Sequence, residues 1–273
     1  MTSTILTEII ERKRVRVEES KQSVDLDWLV HRALHARQLR RHFATAISKT
    51  GRINIIAEFK RASPSKGVIN ESLDPVSASL MYKTGGACAI SVLTEGDSFR
   101  GSLDDLRAVR TAVDLPTLRK DFIIDEYQIY ESSAAGADAI LLIVAALTSE
   151  NLTHFQKLAR DLWLDAVVEV HDLDELEIAK SIGAKIIGVN NRDLRSFDVS
   201  LDISRKLIKN APTDAIMISE SGLKTCEDLT ELRNLGYSAF LIGETLMRSD
   251  NPEQELRELA KENTESSATN TSK

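Results

Sequence analysis

The sequence is short of the features that mark secreted, membrane and nucleic-acid-binding chains. It has two cysteines in 273 residues, Cys88 and Cys226, far apart and in no ligand-like spacing. That excludes a disulfide framework and argues against a zinc site. Cys88 sits in an apolar run and reads as a small core residue. The longest uninterrupted apolar run, Ala139–Leu147, is nine residues, whereas a membrane-spanning helix needs about 20. The first dozen residues reach acidic side chains at once and hold no apolar signal-peptide core. Positive charge is also scarce: 35 Lys and Arg face 42 Asp and Glu, for a formal net charge of −7. A phosphate-backbone binder would show a basic excess. A reduced, cytoplasmic chain is expected, with no nucleic-acid or membrane partner.

What remains is an ordinary globular composition, 42% apolar and 28% charged. A chain of this length buries roughly three quarters of its surface and needs no staples. Residues 4–21 and 25–48 carry apolar side chains at helical spacing and suit two amphipathic helices. The basic cluster Arg37, Arg40, Arg41 and His42 reads as a solvated face. His31 and His35 have the i, i+4 spacing that can hold a metal, but no third ligand accompanies them, so they read as a surface pair and no metal is expected.

From residue 53 short β-branched runs alternate with helical segments. The runs are Ile53–Phe59, Cys88–Leu93, Leu115–Arg119, Ala139–Val144, Ala166–Val170, Lys185–Val189, Ala215–Ser219 and Ala239–Ile242. Each is almost continuously apolar, as parallel strands covered on both faces are. Asp74-Pro75 suits a helix start, and Gly85-Gly86, Gly136, Gly183 and Gly236 suit helix ends. Ser102/Asp105 and Thr225/Asp228 resemble capping boxes. Eight such units in roughly 200 residues predict an α/β fold, a (β/α)8 TIM barrel with an N-terminal helical extension over 1–52. A doubly wound sheet is the alternative, since alternation alone does not show closure. Neither Gly-x-Gly-x-x-Gly after the first strand nor a Walker-type loop is present. Residues 1–261 are expected to form one domain, and 262–273 a disordered polar tail.

Barrel enzymes carry their chemistry at the C-terminal ends of the strands. There the sequence has Glu58 and Lys60, Lys120, Glu169, Asn190 with Asn191 and Arg192, Glu220 with Ser221 and Gly222, and Gly243 with Glu244. Charges directly after apolar strands are costly to bury unless paired. Converging on one mouth, Lys and Glu would shift one another's pKa values and supply an acid and a base. Glycines after strands seven and eight let backbone N–H groups approach a phosphate, and a helix starting after Gly243 would add its positive end. The loop Lys60–Gly67, with three cations, two hydroxyls and a rigid Pro, reads as a mobile anion-binding lid.

These motifs resemble the indole-3-glycerol-phosphate synthase family of tryptophan biosynthesis. The match is carried by Ala57-Glu58-Phe59-Lys60-Arg61-Ala62-Ser63-Pro64-Ser65-Lys66-Gly67, Ser91-Val92-Leu93-Thr94, Leu118-Arg119-Lys120-Asp121-Phe122, Val168-Glu169-Val170-His171, Gly188-Val189-Asn190-Asn191-Arg192-Asp193-Leu194, Ser219-Glu220-Ser221-Gly222 and Ile242-Gly243-Glu244. It runs from about residue 4 to 259. The resemblance implies a carboxy-lyase that closes 1-(2-carboxyphenylamino)-1-deoxyribulose 5-phosphate to indole-3-glycerol phosphate, CO2 and water, without metal or organic cofactor. It implies Lys120 as general acid and Glu169 as general base, with Glu58 and Lys60 beside the reacting centre. Asn190, Arg192 and Glu220 would orient the sugar chain and these side chains. Ser221, Gly222, Gly243 and Glu244 would hold phosphate, and Ser63, Pro64, Phe99, Phe122, Leu141 and Ile143 would contact the rest of the substrate. The chain departs from the family at Ser98-Phe99, where two aromatics are common, and at Arg61, where Lys is common. A phosphoribosylanthranilate isomerase and a non-catalytic metabolite sensor are the other readings of such a barrel; neither needs the Glu58, Lys60, Lys120 and Glu169 set. A monomer is expected.

Overall fold

A computed structural model of the chain describes residues 5–193 and 196–261. The expected polar tail, 262–273, and the first four residues of the extension lie outside the described residues. Eight parallel strands form a closed barrel: Ile55–Phe59, Ala89–Leu93, Thr117–Lys120, Ala139–Ile143, Asp165–Val170, Ile186–Asn190, Ile216–Glu220 and Ala239–Ile242. The first strand pairs with the second at Ile56–Ala89 and with the eighth at Ile55–Phe240. That closure excludes the open doubly wound sheet. All eight strands fall within the apolar runs of the sequence, give or take two residues at the ends.

Alternation along each strand produces two cores. Ile55, Ala57 and Phe59 pack outward into the layer shared with the helices. Ile56, Leu118, Val167, Ile186, Ile218 and Leu241 point inward and fill the lower barrel. Side chains two apart share a face of a strand. The inward register therefore passes from Ile56 to Glu58, from Leu118 to Lys120, from Val167 to Glu169, from Ile218 to Glu220 and from Leu241 to Gly243. An apolar floor thus continues upward into a charged mouth, strand by strand.

The N-terminal extension holds the barrel at both ends. Helix Ile5–Ser23 stands at the mouth, where Lys13 forms a buried ion pair with Asp121 at 2.7 Å. Helix Leu26–Ala36 packs along helix Glu126–Ala135, with Ser133 Oγ donating to the Ala33 carbonyl at 2.9 Å. Helix Phe43–Ile47 then inserts Phe43 and Ile47, both fully buried, into the bottom of the barrel.

The sequence pattern suggests one helix over 25–48, but the chain breaks after a 3-10 turn at Arg37–Leu39. The reason is tertiary, and it also overturns the reading of the basic cluster as a solvated face. Arg40 donates to the carbonyls of Ala137 and Ser133, and Arg41 to those of Leu115 and Arg110. The Arg41 backbone N–H takes Asp138 at 2.7 Å. These bonds tie the segment to the ends of helices Glu126–Ala135 and Leu103–Ala112 and to the loops that follow them. Of the cluster, only His42 is exposed.

Asp74 caps its helix with Pro75 at the first turn, and Thr225/Asp228 form a full capping box. Ser102 accepts from Asp105 N–H, but the Asp105 carboxylate turns to Arg61 instead, so only half of that box forms. His31 and His35 are both exposed. Cys88 is buried, which pushes its thiol up to about 12.

Candidate active site

The strand ends bring every sequence-predicted site residue to one cavity of about 810 Å³ at the mouth. On its floor Lys120 Nζ donates to Glu169 Oε2 at 2.7 Å and to Glu220 Oε2 at 2.5 Å. Glu58, two residues before Lys60 and on the same face, pairs with its Nζ at 2.7 Å. The three carboxylates are almost fully buried, at 1–3% exposure. Room for them comes from two glycines. A β-carbon at Gly188 would meet Glu220 Oε1 at 2.3 Å, and one at Gly243 would meet Glu58 Oε2 at 2.3 Å.

Burial and charge pull these groups apart. Burial alone would lower the Lys120 ammonium, but Glu169, Glu220 and Glu58 hold it charged, well above the ordinary lysine value. Burial would raise Glu169, but Lys120 and His171 overcome it and keep the carboxyl below the usual range. Glu220 has the same lysine but sits deeper in negative company. Burial, Glu169 and Glu58 together push it up to about 7. Two carboxylates on one ammonium therefore differ in kind: one is firmly ionised, the other poised to hold a proton near neutrality.

Above the floor the wall is apolar and aromatic. Phe99 and Phe122 face each other with ring centroids 6.1 Å apart, so Phe99 meets a ring from the neighbouring loop in place of an adjacent aromatic at Ser98. Leu141, Ile143, Pro64 and Ser63 line the same cavity, with Ile5, Leu6 and Ile9 of the N-terminal helix. At the other end Ser221 Oγ donates to Asn190 Oδ1 at 2.9 Å, and Asn190 Oδ1 also accepts the Arg192 backbone N–H. Asn191 is fully buried and bonds the carbonyls of Glu220 and Ser221, pinning the loop after strand seven. The Glu244 carboxylate turns aside to Arg248, 3.2 Å away. The helix after Gly243 is only Glu244–Arg248, five residues, so its dipole is far weaker than a full helix would give.

The loop after strand one is a short hairpin, Ala62–Ser63 against Gly67–Val68. Two of its three cations are already committed. Lys60 serves Glu58, and Arg61 grips Asp105 with two bonds of 2.6 and 2.8 Å while lying over the Phe59 ring. Lys66, exposed at the hairpin, faces the cavity. The free positive charge at the mouth is thus smaller than the count of Lys60, Lys66, Lys120 and Arg192 suggests. Lys224 and Arg248 also line the cavity, and neither stands at a strand end or in a motif of the sequence.

His171 is also outside the set of strand-end candidates. It follows Glu169 by two positions and so shares its face, the signal that could have found it. Its Nδ1 lies 2.9 Å from Glu175 Oε2, and its Nε2 lies 3.4 Å from Glu169 Oε1. Arg119 points outward, away from the mouth, into a buried network with Asp121 and Glu131.

A family model described as indole-3-glycerol phosphate synthase matches residues 6–259. The chain belongs to the indole-3-glycerol phosphate synthase family. Members of this family are decarboxylating lyases of tryptophan biosynthesis. The indole-3-glycerol phosphate synthase of Alkaliphilus metalliredigens is 46% identical over 255 residues, covering 93% of this chain and 97% of its own. That of Acetivibrio thermocellus is 45% identical over 262 residues, covering 93% and 98%. Among solved structures, the N-acetylmannosamine-6-phosphate 2-epimerase of Clostridium perfringens superposes with a TM-score of 0.60 at 15% identity, covering 79% of this chain and 94% of its own. A mutant tryptophan synthase α-subunit of Pyrococcus furiosus gives a TM-score of 0.58 at 14% identity, covering 76% and 97%. These two likenesses concern the barrel alone. Among the described residues of this indole-3-glycerol phosphate synthase family chain, no helix is long and apolar enough to cross a membrane.

Proposed function

We propose that the mouth closes 1-(2-carboxyphenylamino)-1-deoxyribulose 5-phosphate to indole-3-glycerol phosphate with Lys120 as the proton donor and Glu169 as the base. The observation that carries this division is the single ammonium of Lys120, bound at 2.7 and 2.5 Å to two carboxylates of unlike proton affinity. The ring carbon bearing the carboxylate attacks the sugar carbonyl, and Lys120 protonates the carbonyl oxygen as the C–C bond forms. CO2 then leaves, and its bonding pair restores the aromatic ring. The new hydroxyl departs as water with a second proton, pushed by the ring nitrogen. Glu169 takes the last proton from the sugar-derived carbon beside that nitrogen. Two protons are delivered and one removed, so one is taken up overall. Glu220, pushed up to about 7, is suited to return a proton to Lys120 between steps.

The Phe99–Phe122 wall presses the ring toward the carbonyl and supplies proximity. Glu58 and Lys60 flank the reacting carbon, and Asn190 with Arg192 orients the sugar chain. The loops at Ser221-Gly222 and Gly243-Glu244 take the phosphate on backbone N–H groups, assisted by Lys66 and Lys224. Residues 1–261 act as one domain, a reading supported by the extension's contacts at both barrel ends. A monomer is the working unit in this reading, since the residues given roles in it all come from one chain. Two free cysteines suit a reducing cytoplasm.

The test is direct. The purified protein, incubated with the carboxyphenylamino substrate, should develop indole fluorescence, and Lys120→Ala should lose it by orders of magnitude while remaining folded by circular dichroism. Near-normal turnover by that variant would remove Lys120 as the acid.

A further inference from the structure

His171 is absent from the cavity lining, yet it stands directly behind the base. Its side chain is 11% exposed. Glu175 holds it from two sides: Oε2 accepts the His171 backbone N–H at 2.8 Å and faces ring Nδ1 at 2.9 Å. Glu175 is itself fixed, because Asp172 caps its helix and accepts its backbone N–H at 2.9 Å. The far nitrogen, Nε2, is buried without a hydrogen bond of its own and lies 3.4 Å from Glu169 Oε1. The other oxygen of Glu169 is the one that meets Lys120. The result is a row of alternating charge, Glu175, His171, Glu169, Lys120, Glu220, running from a helix start into the cavity.

Two charged groups act on the imidazole, Glu169 from its own strand and Glu175 from helix Leu173–Ser181. The turn Val144–Ala146, packed against that strand and that helix, brings no titratable side chain. Burial would lower the imidazole, but the two carboxylates lift it to about 10, so it is a cation at neutral pH. A cation behind Glu169, where Glu220 has burial and the carboxylates Glu169 and Glu58 instead, adds to the inequality of these two carboxylates toward the lysine they share.

We infer that His171 is a positioning residue for the ring closure: anchored by Glu175, its imidazolium turns Glu169 toward Lys120, keeps it ionised as the base and leaves Glu220 to carry the shared proton. This rests on the reading of Glu169 as the base. A residue that only filled space would affect stability and leave the pH profile in place.

The experiment compares wild type, His171→Gln, Glu175→Gln and Glu169→Gln by steady-state kinetics across roughly pH 3 to 9, low enough to reach the limb set by Glu169. For His171→Gln, kcat should fall about 10- to 100-fold with KM within about twofold, and the acid limb of kcat/KM should move up by about one pH unit as Glu169 becomes easier to protonate. Glu175→Gln, at a less buried position, should move the same limb the same way by a smaller amount, and it serves if His171→Gln does not fold. An acid limb unmoved in both variants, with losses confined to melting temperature, would overturn the inference. Normal turnover by Glu169→Gln would overturn the reading of the base itself; an inactive Glu169→Gln beside an unshifted His171→Gln would overturn only the role of His171.

Discussion

Gly243 and Glu58, on neighbouring barrel strands, are in contact so close that the position admits no β-carbon. One built there would stand 2.3 Å from Glu58 Oε2 and 3.1 Å from its Cβ and Cδ. The backbone at Gly243 has a φ of −124°, which any residue can adopt, so space alone demands the glycine. Gly243→Ala should therefore displace the carboxylate that holds Lys60. We expect kcat/KM to fall about 10- to 100-fold and stability to drop by about 1–3 kcal/mol. Kinetics together with urea unfolding checks this, and unaltered kinetics would show that Glu58 can yield freely. Gly188→Ala should act likewise on Glu220 Oε1, again 2.3 Å away.

Removing the ammonium changes the pH dependence of stability as well as the rate. Lys120→Ala leaves Glu169 and Glu220 buried without their cation, so both bind protons more tightly when folded than when unfolded. Stability then falls as pH rises, because the folded state holds the extra protons. In the wild type Glu220 alone, raised from 4.5 to about 7, contributes in this sense across that window. The variant adds Glu169. Its deficit relative to wild type should be about 3–5 kcal/mol near pH 8 and smaller near pH 5, by denaturant titration at each pH. A deficit that does not depend on pH would contradict the pairing.

Lys66 and Lys224 line the cavity as exposed side chains that engage no carboxylate in an ion pair among the described residues. Exposed charges act over distance and are screened by salt. Replacing both by Ala should raise KM about three- to tenfold at low ionic strength and leave kcat within about twofold, with the effect shrinking in about 0.5 M salt. A KM unaffected at low salt would mean that backbone N–H groups alone hold the phosphate.

At the opposite end, Asp138 is 1% exposed and accepts from Arg41 N at 2.7 Å, Thr117 N at 2.8 Å and Arg110 Nη1 at 2.7 Å. Asp138→Ala should remove about 3–5 kcal/mol by stranding two backbone donors and a guanidinium. The site lies at the other end of the strands, so turnover per folded molecule should stay within about twofold of wild type. Unfolding midpoint and active-site-normalised kcat separate the two effects.

The barrel could be read directly because buried parallel strands leave continuous apolar runs. The mouth could be read because charges such as Lys60, Lys120 and Glu220 directly follow those runs. What escaped depended on contacts distant in sequence. Arg40 and Arg41 look solvated until the fold brings the carbonyls of Ser133 and Ala137 to the first and those of Arg110 and Leu115 to the second. Arg61 looks like an anion binder until Asp105 takes it. His171 carries no marker except its parity with Glu169, and its partner Glu175 belongs to the next helix.

The plug at the bottom of the barrel also bears on how the chain is made. Phe43 and Ile47 share their apolar cluster with Ala239 and Leu241, and the first strand finds its last neighbour at Phe240. A ribosome delivers the first pair of partners nearly two hundred residues before the second. Through that interval one edge of the first strand must wait uncovered and the plug's cluster stays incomplete, so closure is a late, long-range event and the emerging chain is exposed to wrong partners until its final strand arrives.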